Sequence, residues 1–467
     1  MHMLRTTWLR CICAGLRAHL VIAVAVSIFS TRVQSAEPEA ASVGSVNTML
    51  AHCESPRGGE FTIGEAVLQV LCSNPRARRA GLSVSFQAVQ IGVAQANYLP
   101  TITNTSNLLA TRQGGTGATS GRTASSRFDL AWLLLDFGGR RATLTQAERL
   151  LESVRFGADA TYLTIVGDVA DEYFNLAAFE GLVQANRENE DAAQSSYSVA
   201  KGKFESGIGA RADELQAKAA YSQAVLNRIK SEGDVAVAKG GLTSLLGIPA
   251  NSPLRLTYSA ELTSVRNLEQ SVDGAMTDAV NAHPAIAAAR AQVEAAAANV
   301  AAVRSAGLPA LSLTGSIGWQ RNNASGFDSS SRSRSVGLQL TVPIFEGFAR
   351  ESLVRAAETD VKQRENDLAE KTLEVSTDVW SNYHSFKSQA QYLVVTQELL
   401  ATALKSYNIA QGRYKAGVGS IVELLNAQTA LANARQQRVK SMADYRSLAI
   451  RFAASLGRLD SSLLPSP

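Results

Sequence analysis

From Ser335 the chain alternates strictly, with Val336, Leu338, Leu340, Val342 and Ile344 on one side and Ser335, Gly337, Gln339 and Thr341 on the other. A period of two predicts a strand with one apolar and one wet face. Similar stretches occupy 101–111, 127–136 and 309–320. In the last, Leu311, Leu313, Ile317 and Trp319 oppose Ser312, Thr314, Ser316 and Gln320. Phe128, Leu130, Trp132 and Leu134 share a face in the second, whereas TITNTSNLLAT, the first, alternates poorly. Strands of about 9 to 11 alternating residues match a transmembrane barrel, although a half-buried soluble sheet gives the same pattern. Trp132, Trp319 and Phe128 on the apolar faces, with no amphipathic helix nearby to cover four strands, favour the membrane reading. Within each strand pair, RQGGTGATSGRTASS from Arg112 and RNNASGFDSSSRSR from Arg321 predict exposed, mobile loops.

Elsewhere the spacing is helical. Gly139 to Lys203 contains no proline and interleaves charged and apolar residues over a length of about 97 Å as a helix. Gly347 to Gly412 matches it, and both are on a coiled-coil scale. Shorter helices are predicted from Arg76 to Asn97, ending before the Leu99-Pro100 step, and from Arg211 to Leu246. Laid end to end, such a pair spans about 87 Å, enough to line one long helix over most of its length. Alanine-rich runs from Ala285 and Leu424 combine high helix propensity with room for close axial approach.

The chain repeats this plan. Pro284 follows Pro75, and Pro309 follows Pro100, by 209 residues. LDFGGR from Leu135 answers FEGFAR from Phe345, and ESGIGARADELQA answers KAGVGSIVELLNA at an offset of 210. The predicted organisation is a signal segment (1–36), an N-terminal segment (37–63), one repeat (64–247), a linker (248–270), a second repeat (271–457) and a tail (458–467).

Charge changes the picture little. Arg5, Arg10 and Arg17 precede an apolar run from Leu20 to Phe29, with a cleavage site expected near Ala36. Of 45 basic residues four precede Ala36, and of 41 acidic residues none does, so the exported chain is near neutral and lacks a nucleic-acid footprint. Cys11 and Cys13 leave with the signal, and neither follows the apolar run as a lipid-anchored cysteine does. Cys53 and Cys72 remain, either as a disulfide worth about 3 kcal/mol in an oxidising compartment or as two unpaired thiols.

From Gly64 to Gly457 the sequence resembles the TolC-like outer-membrane efflux and secretion channels of Gram-negative bacteria. The resemblance is carried by RYKAGVGSIVELLNAQTAL from Arg413, KFESGIGARADELQAKAAY from Lys203, and the junctions LDFGGRR and FEGF. It implies an α+β membrane protein built from two internal repeats. Three chains would contribute four strands each to a 12-stranded transmembrane β-barrel, continued by a long periplasmic α-helical barrel. Period and strand length alone allow a dimer or a trimer; an open sheet edge in lipid is excluded either way. The implied function is passage without a cofactor or metal. Implied partners are a periplasmic adaptor protein, an inner-membrane ABC transporter or proton-driven pump, and outer-membrane lipid.

The resemblance places the periplasmic tip at the two helix-to-helix turns, where Gly207, Gly209, Gly417 and Gly419 suit tight turns using positive φ and meet the adaptor. Lys203, Arg211, Asp213, Arg413, Tyr414 and Glu423 are candidates for contacts that hold the tip closed. A second reading has Asp213 and Glu423 simply complement helix N-terminal dipoles. The chain departs from the best-known pattern at Gly419, where that pattern has arginine, and at Asn426, where it has a lumen-facing aspartate. Arg211 is a candidate to replace the missing charge.

Enzyme chemistry is poorly supported: His52, His283 and His384 are scattered, and there is no phosphate loop, HExxH or nucleophile elbow. A soluble coiled-coil scaffold explains the helices but neither the strands nor the signal segment. The missing lipid-anchored cysteine favours type I protein secretion over multidrug efflux.

Overall fold

The computed structural model describes residues 59–114, 119–257, 272–324 and 327–457. The expected signal segment, Cys53, most of the 248–270 linker and the 458–467 tail lie outside them. Cys72 is disulfide-bonded.

In chain order the elements are β1 (Gly59–Phe61), α1 (Ile63–Ser73), α2 (Pro75–Ala96), β2 (Thr101–Gln113), β3 (Thr119–Leu135), α3 (Gly139–Glu205) and α4 (Arg211–Leu245). They continue with β4 (Leu254–Leu256), α5 (Val272–Ala282), α6 (Pro284–Ser305), β5 (Ala310–Ala324), β6 (Phe327–Thr341), α7 (Ala349–Lys415) and α8 (Ile421–Ser455). The order helix, helix, strand, strand, helix, helix occurs twice with equal helix lengths: 67 residues for α3 and α7, 35 for α4 and α8, 22 for α2 and α6.

The large strands form one antiparallel sheet in the order β2-β3-β5-β6. Its register gathers the apolar positions of different strands onto one face: Phe128 stands opposite Ile317, Trp132 opposite Leu313, and Leu313 opposite Leu338. Leu311 pairs with Leu340, and Gly315 with Val336. The other face carries Thr103, Thr105, Asp129, Ser316, Ser333 and Ser335 in matching rows. A bulge between Leu133 and Leu135 sets Leu135, not Leu134, opposite Leu311.

The strands exceed the alternating stretches. β3 has 17 residues and β5 and β6 have 15 each, so the two predicted loops are largely ladder. Ladder bonds join backbone groups, and Ser, Thr, Asn and Arg side chains extend a hairpin where no apolar face is required. β6 ends at Thr341, leaving Val342, Ile344 and Pro343 beyond the ladder, where proline's missing N–H costs nothing.

Each strand-to-helix passage uses a left-handed residue pair, Phe137 and Gly138 in one and Gly347 and Phe348 in the other. Asp136 accepts from the Arg140 amide at 2.6 Å, while the Arg140 guanidinium donates to the Leu133 and Leu134 carbonyls. The last turn of β3 is thereby tied to the first turn of α3.

The shorter helices stack end to end along the long ones. At the α1–α2 break Asn74 serves both neighbours, accepting from the Arg76 amide at 2.8 Å and donating to the Leu245 carbonyl at the end of α4 at 3.1 Å. Ser73 donates to the Leu246 carbonyl beside it. The end of α8 meets the α5–α6 break likewise, with Gly457 against His283, which caps α6 through Nδ1. α3 therefore packs against α2 and α4 on one side and α6 and α8 on the other, and α7 packs beyond α6 and α8.

The core lies around the middle of α3, where Ile165, Val169, Tyr173 and Leu176 are buried with Val67, Val70 and Leu242. Tyr173 donates to the carbonyls of Phe61 and Thr257, fastening the parallel β1–β4 pair to α3. Both lateral edges remain apolar. On α2, Leu82, Phe86, Val89 and Val93 form an exposed stripe at helical spacing, and on α7 Trp380, Val394 and Val395 are exposed. Among the described residues no helix is long and apolar enough to cross a membrane.

Candidate functional site

At the end of the helices farthest from the sheet, two turns have nearly the same hydrogen bonds. Ile208 and Gly209 both donate to the Lys203 carbonyl, at 3.0 and 2.9 Å; Val418 and Gly419 both donate to the Arg413 carbonyl, at 3.0 and 3.1 Å. Each is a left-handed helix ending. Only Gly207 (φ 76°) and Gly417 (φ 78°) adopt positive φ, so the expectation for all four glycines holds for two. The others are needed for proximity. A Cβ on Gly209 would lie 2.9 Å from Lys203 Cβ, and one on Gly419 3.0 Å from Arg413 Cβ.

Below the turns, four helices share a core of Ala200, Ala217, Ala410, Tyr414, Ile421 and Leu424. Small residues bring α3, α4, α7 and α8 together, and Tyr414 fills the space between them at 4% exposure. Burial raises the Tyr414 phenol above its usual range, and the nearby Asp213 carboxylate adds to the shift.

The structure joins some of the predicted charges and separates others. Lys203, at the end of α3, donates to the Tyr414 carbonyl and holds its ammonium 4.2 Å from the centre of the Tyr414 ring. This contact links the two turns. Arg413 pairs with Glu423 at 3.3 Å, across the second turn only. Arg211 remains within the first, pairing with Glu214 and lying 5.0 Å from the centre of the Phe204 ring. Its partners within this chain all lie in the first turn. Asn426 is exposed, one helical turn beyond Glu423.

The dipole reading of the carboxylates also fits, since Asp213, Glu214 and Glu423 lie in first helical turns. Ser420 caps α8 by accepting from the Glu423 amide at 3.1 Å, whereas Ala210 gives α4 no side-chain cap.

Three residues escaped the charge-based search. Glu214 is buried at 6%, and Ile208 and Val418 are 78% and 70% exposed at the outermost point of each turn. The signal for the last two was present as the paired strings Gly-Ile-Gly and Gly-Val-Gly.

Residues 66–248 and 275–458 match the outer membrane efflux protein family. The chain belongs to this family. Among its relatives, Protein CyaE of Bordetella pertussis is 30% identical over 418 residues, covering 88% of each chain. The alkaline protease secretion protein AprF of Pseudomonas aeruginosa is 26% identical over 316 residues, covering 67% of this chain and 65% of its own. The solved structure of CusC, whose subject includes transmembrane channel formation, has a TM-score of 0.74 at 20% identity, covering 87% of this chain and 96% of that one. As a member of the outer membrane efflux protein family, the chain is an outer-membrane transport component.

Proposed function

We propose that three copies of this chain form the exit duct of a type I secretion system, exporting a toxin-like protein. The observation that carries the assembly is the sheet itself: one face is apolar along a common register, and β2 and β6 each leave a long unpaired edge. Edges of this length must pair in lipid. Joining β6 of one copy to β2 of the next gives a 12-stranded barrel, and the apolar edges on α2 and α7 close the helical tube below it.

The two repeats, 64–247 and 271–457, then each supply a hairpin and one turn at the tip. Lys203, Arg211, Asp213, Arg413, Tyr414 and Glu423 hold the tip narrow. An adaptor seats on the turns at Gly207, Gly209, Gly417 and Gly419, reaching the exposed Ile208 and Val418. Engagement by the adaptor and an inner-membrane ABC transporter shifts the tip to its open state. The secretion assignment is supported by AprF, whose name records protease secretion. The family description, outer membrane efflux protein, supports a second reading, the outlet of a multidrug efflux pump.

One experiment separates the two. In cells lacking this protein, loss of a large secreted protein at unchanged drug susceptibility supports the secretion duct. An intact culture-supernatant profile with increased susceptibility overturns it in favour of efflux.

A further inference from the structure

The four large strands contain six arginines and no lysine: Arg112, Arg122, Arg127, Arg321, Arg332 and Arg334. The register assigns each to a face. Arg127 lies on the polar face and pairs with Asp129 on the same strand at 3.0 Å. The other five share the face of Phe128, Ile317 and Val336. Arg112 stands opposite Ser120, Arg122 opposite Asn323, Arg321 opposite Ser330, Arg332 opposite Trp319, and Arg334 opposite Ile317. That face carries one carboxylate in these strands, Asp328, which pairs with Arg321. Arg112, Arg122, Arg332 and Arg334 are exposed and have no ion pair among the described residues.

Their placement along the strands is equally ordered. Arg334 precedes Val336, the first apolar residue of β6 on that face, and the others lie between it and the hairpin turns. The turns are at the end of the sheet away from the helices. Trp319 lies among the arginines, opposite Arg332, as an aromatic residue at the edge of an apolar band.

On the same face as a lipid-covered band, Arg334 and Arg332 stand just past its edge, at headgroup height, and Arg122 and Arg112 stand farther along the strands towards the hairpin turns. Arginine's planar fork matches phosphate bidentately, and two such side chains two residues apart on one strand face lie about 7 Å from each other. We infer that Arg112, Arg122, Arg332 and Arg334 form an outward-facing girdle that binds the phosphorylated headgroups of outer-leaflet lipid. This inference rests on the barrel reading above, with the hairpin turns outermost.

The test uses the full-length exported protein inserted in phosphatidylcholine vesicles with lipid A or with lipid A freed of its phosphates. Insertion is scored first, by protease protection in pure phosphatidylcholine. Lipid A retained after extraction into non-ionic detergent is then counted by mass spectrometry. The expected result is retention of phosphorylated lipid A, falling about fivefold for each arginine removed in R332Q and in R122Q/R332Q/R334Q. R127Q/D129N, altered on the opposite face, should retain as much as the unaltered protein. Equal retention by the triple variant, equal retention of phosphate-free lipid A, or complete displacement by inorganic phosphate would overturn the girdle while leaving the barrel intact. Failure of the unaltered protein to insert would instead remove the barrel reading and the girdle with it.

Discussion

Lys203 rests its ammonium on the ring of Tyr414 and donates to that residue's carbonyl, joining positions 211 residues apart at the ends of α3 and α7. A cation over an aromatic face contributes about 0.5 to 2 kcal/mol, depending on its desolvation. Lys203→Met should weaken the closed tip and raise single-channel conductance in planar bilayers, and Tyr414→Ala should do the same. Tyr414→Phe keeps both the ring and the carbonyl, so its conductance should match the unaltered channel. Conductance in Lys203→Met equal to the unaltered value would remove this contact from the gate.

Asp213 and Glu423 separate the gating and dipole readings of the tip. Glu423→Gln frees Arg413 while retaining the Ser420 cap, because Ser420 receives the backbone amide of residue 423. Higher conductance with an unchanged melting temperature is expected if the pair restrains the tip. A lower melting temperature with unchanged conductance would assign the carboxylate to the helix end instead.

The tip glycines should fail for different reasons. Gly417→Ala places a Cβ on a left-handed backbone at a cost of about 1 to 2 kcal/mol. Gly419→Ala has ordinary φ but drives a Cβ into Arg413 and the Tyr414 amide, and should cost about 1 to 3 kcal/mol. Thermal unfolding followed by circular dichroism measures both, and in a double-mutant cycle only the second change should be partly relieved by Arg413→Gly, which removes the Cβ that the new methyl meets.

Along the helical seam, a Cβ on Gly181 would come within 2.7 Å of Val439 Cγ1, so α3 and α8 approach closely there. Valine is stiff at χ1 and cannot turn away cheaply. Gly181→Ala should therefore destabilise the protein by about 1 to 3 kcal/mol despite alanine's higher helix propensity. Adding Val439→Ala should recover most of that loss in a double-mutant cycle; additive effects would show that the seam does not restrict this position.

Burial pushes the Tyr173 phenol up to about 12 from an ordinary value near 10. The folded state thus keeps the proton after the unfolded state has lost it. The associated stability is complete below pH 10 and is lost as pH rises from about 10 to about 12, amounting to roughly 2 to 3 kcal/mol. Tyr173→Phe should abolish this alkaline dependence. It should also speed hydrogen exchange in β1 and β4, whose carbonyl anchors at Phe61 and Thr257 lose their donor.

The sequence by itself determined the elements and their faces. Proline and glycine breaks fixed helix ends to within about three residues, because those limits arise in the local backbone. Strict alternation from Ser335 gave the apolar face of β6, since successive strand side chains must point to opposite sides. The constant offset gave the doubled plan, and the Gly-Ile-Gly and Gly-Val-Gly turns were visible in both halves. Tertiary structure alone decided where ladders end and which charges meet. β3 and β6 run through serine- and arginine-rich stretches because a partner backbone supplies their bonds, and no local side-chain pattern encodes that partner. Lys203 found Tyr414 while Arg211 turned back to Glu214 because packing small residues among four helices set which side chains were within reach. The five arginines on the face of Phe128 likewise came to share that face only when hydrogen-bond register aligned the four strands.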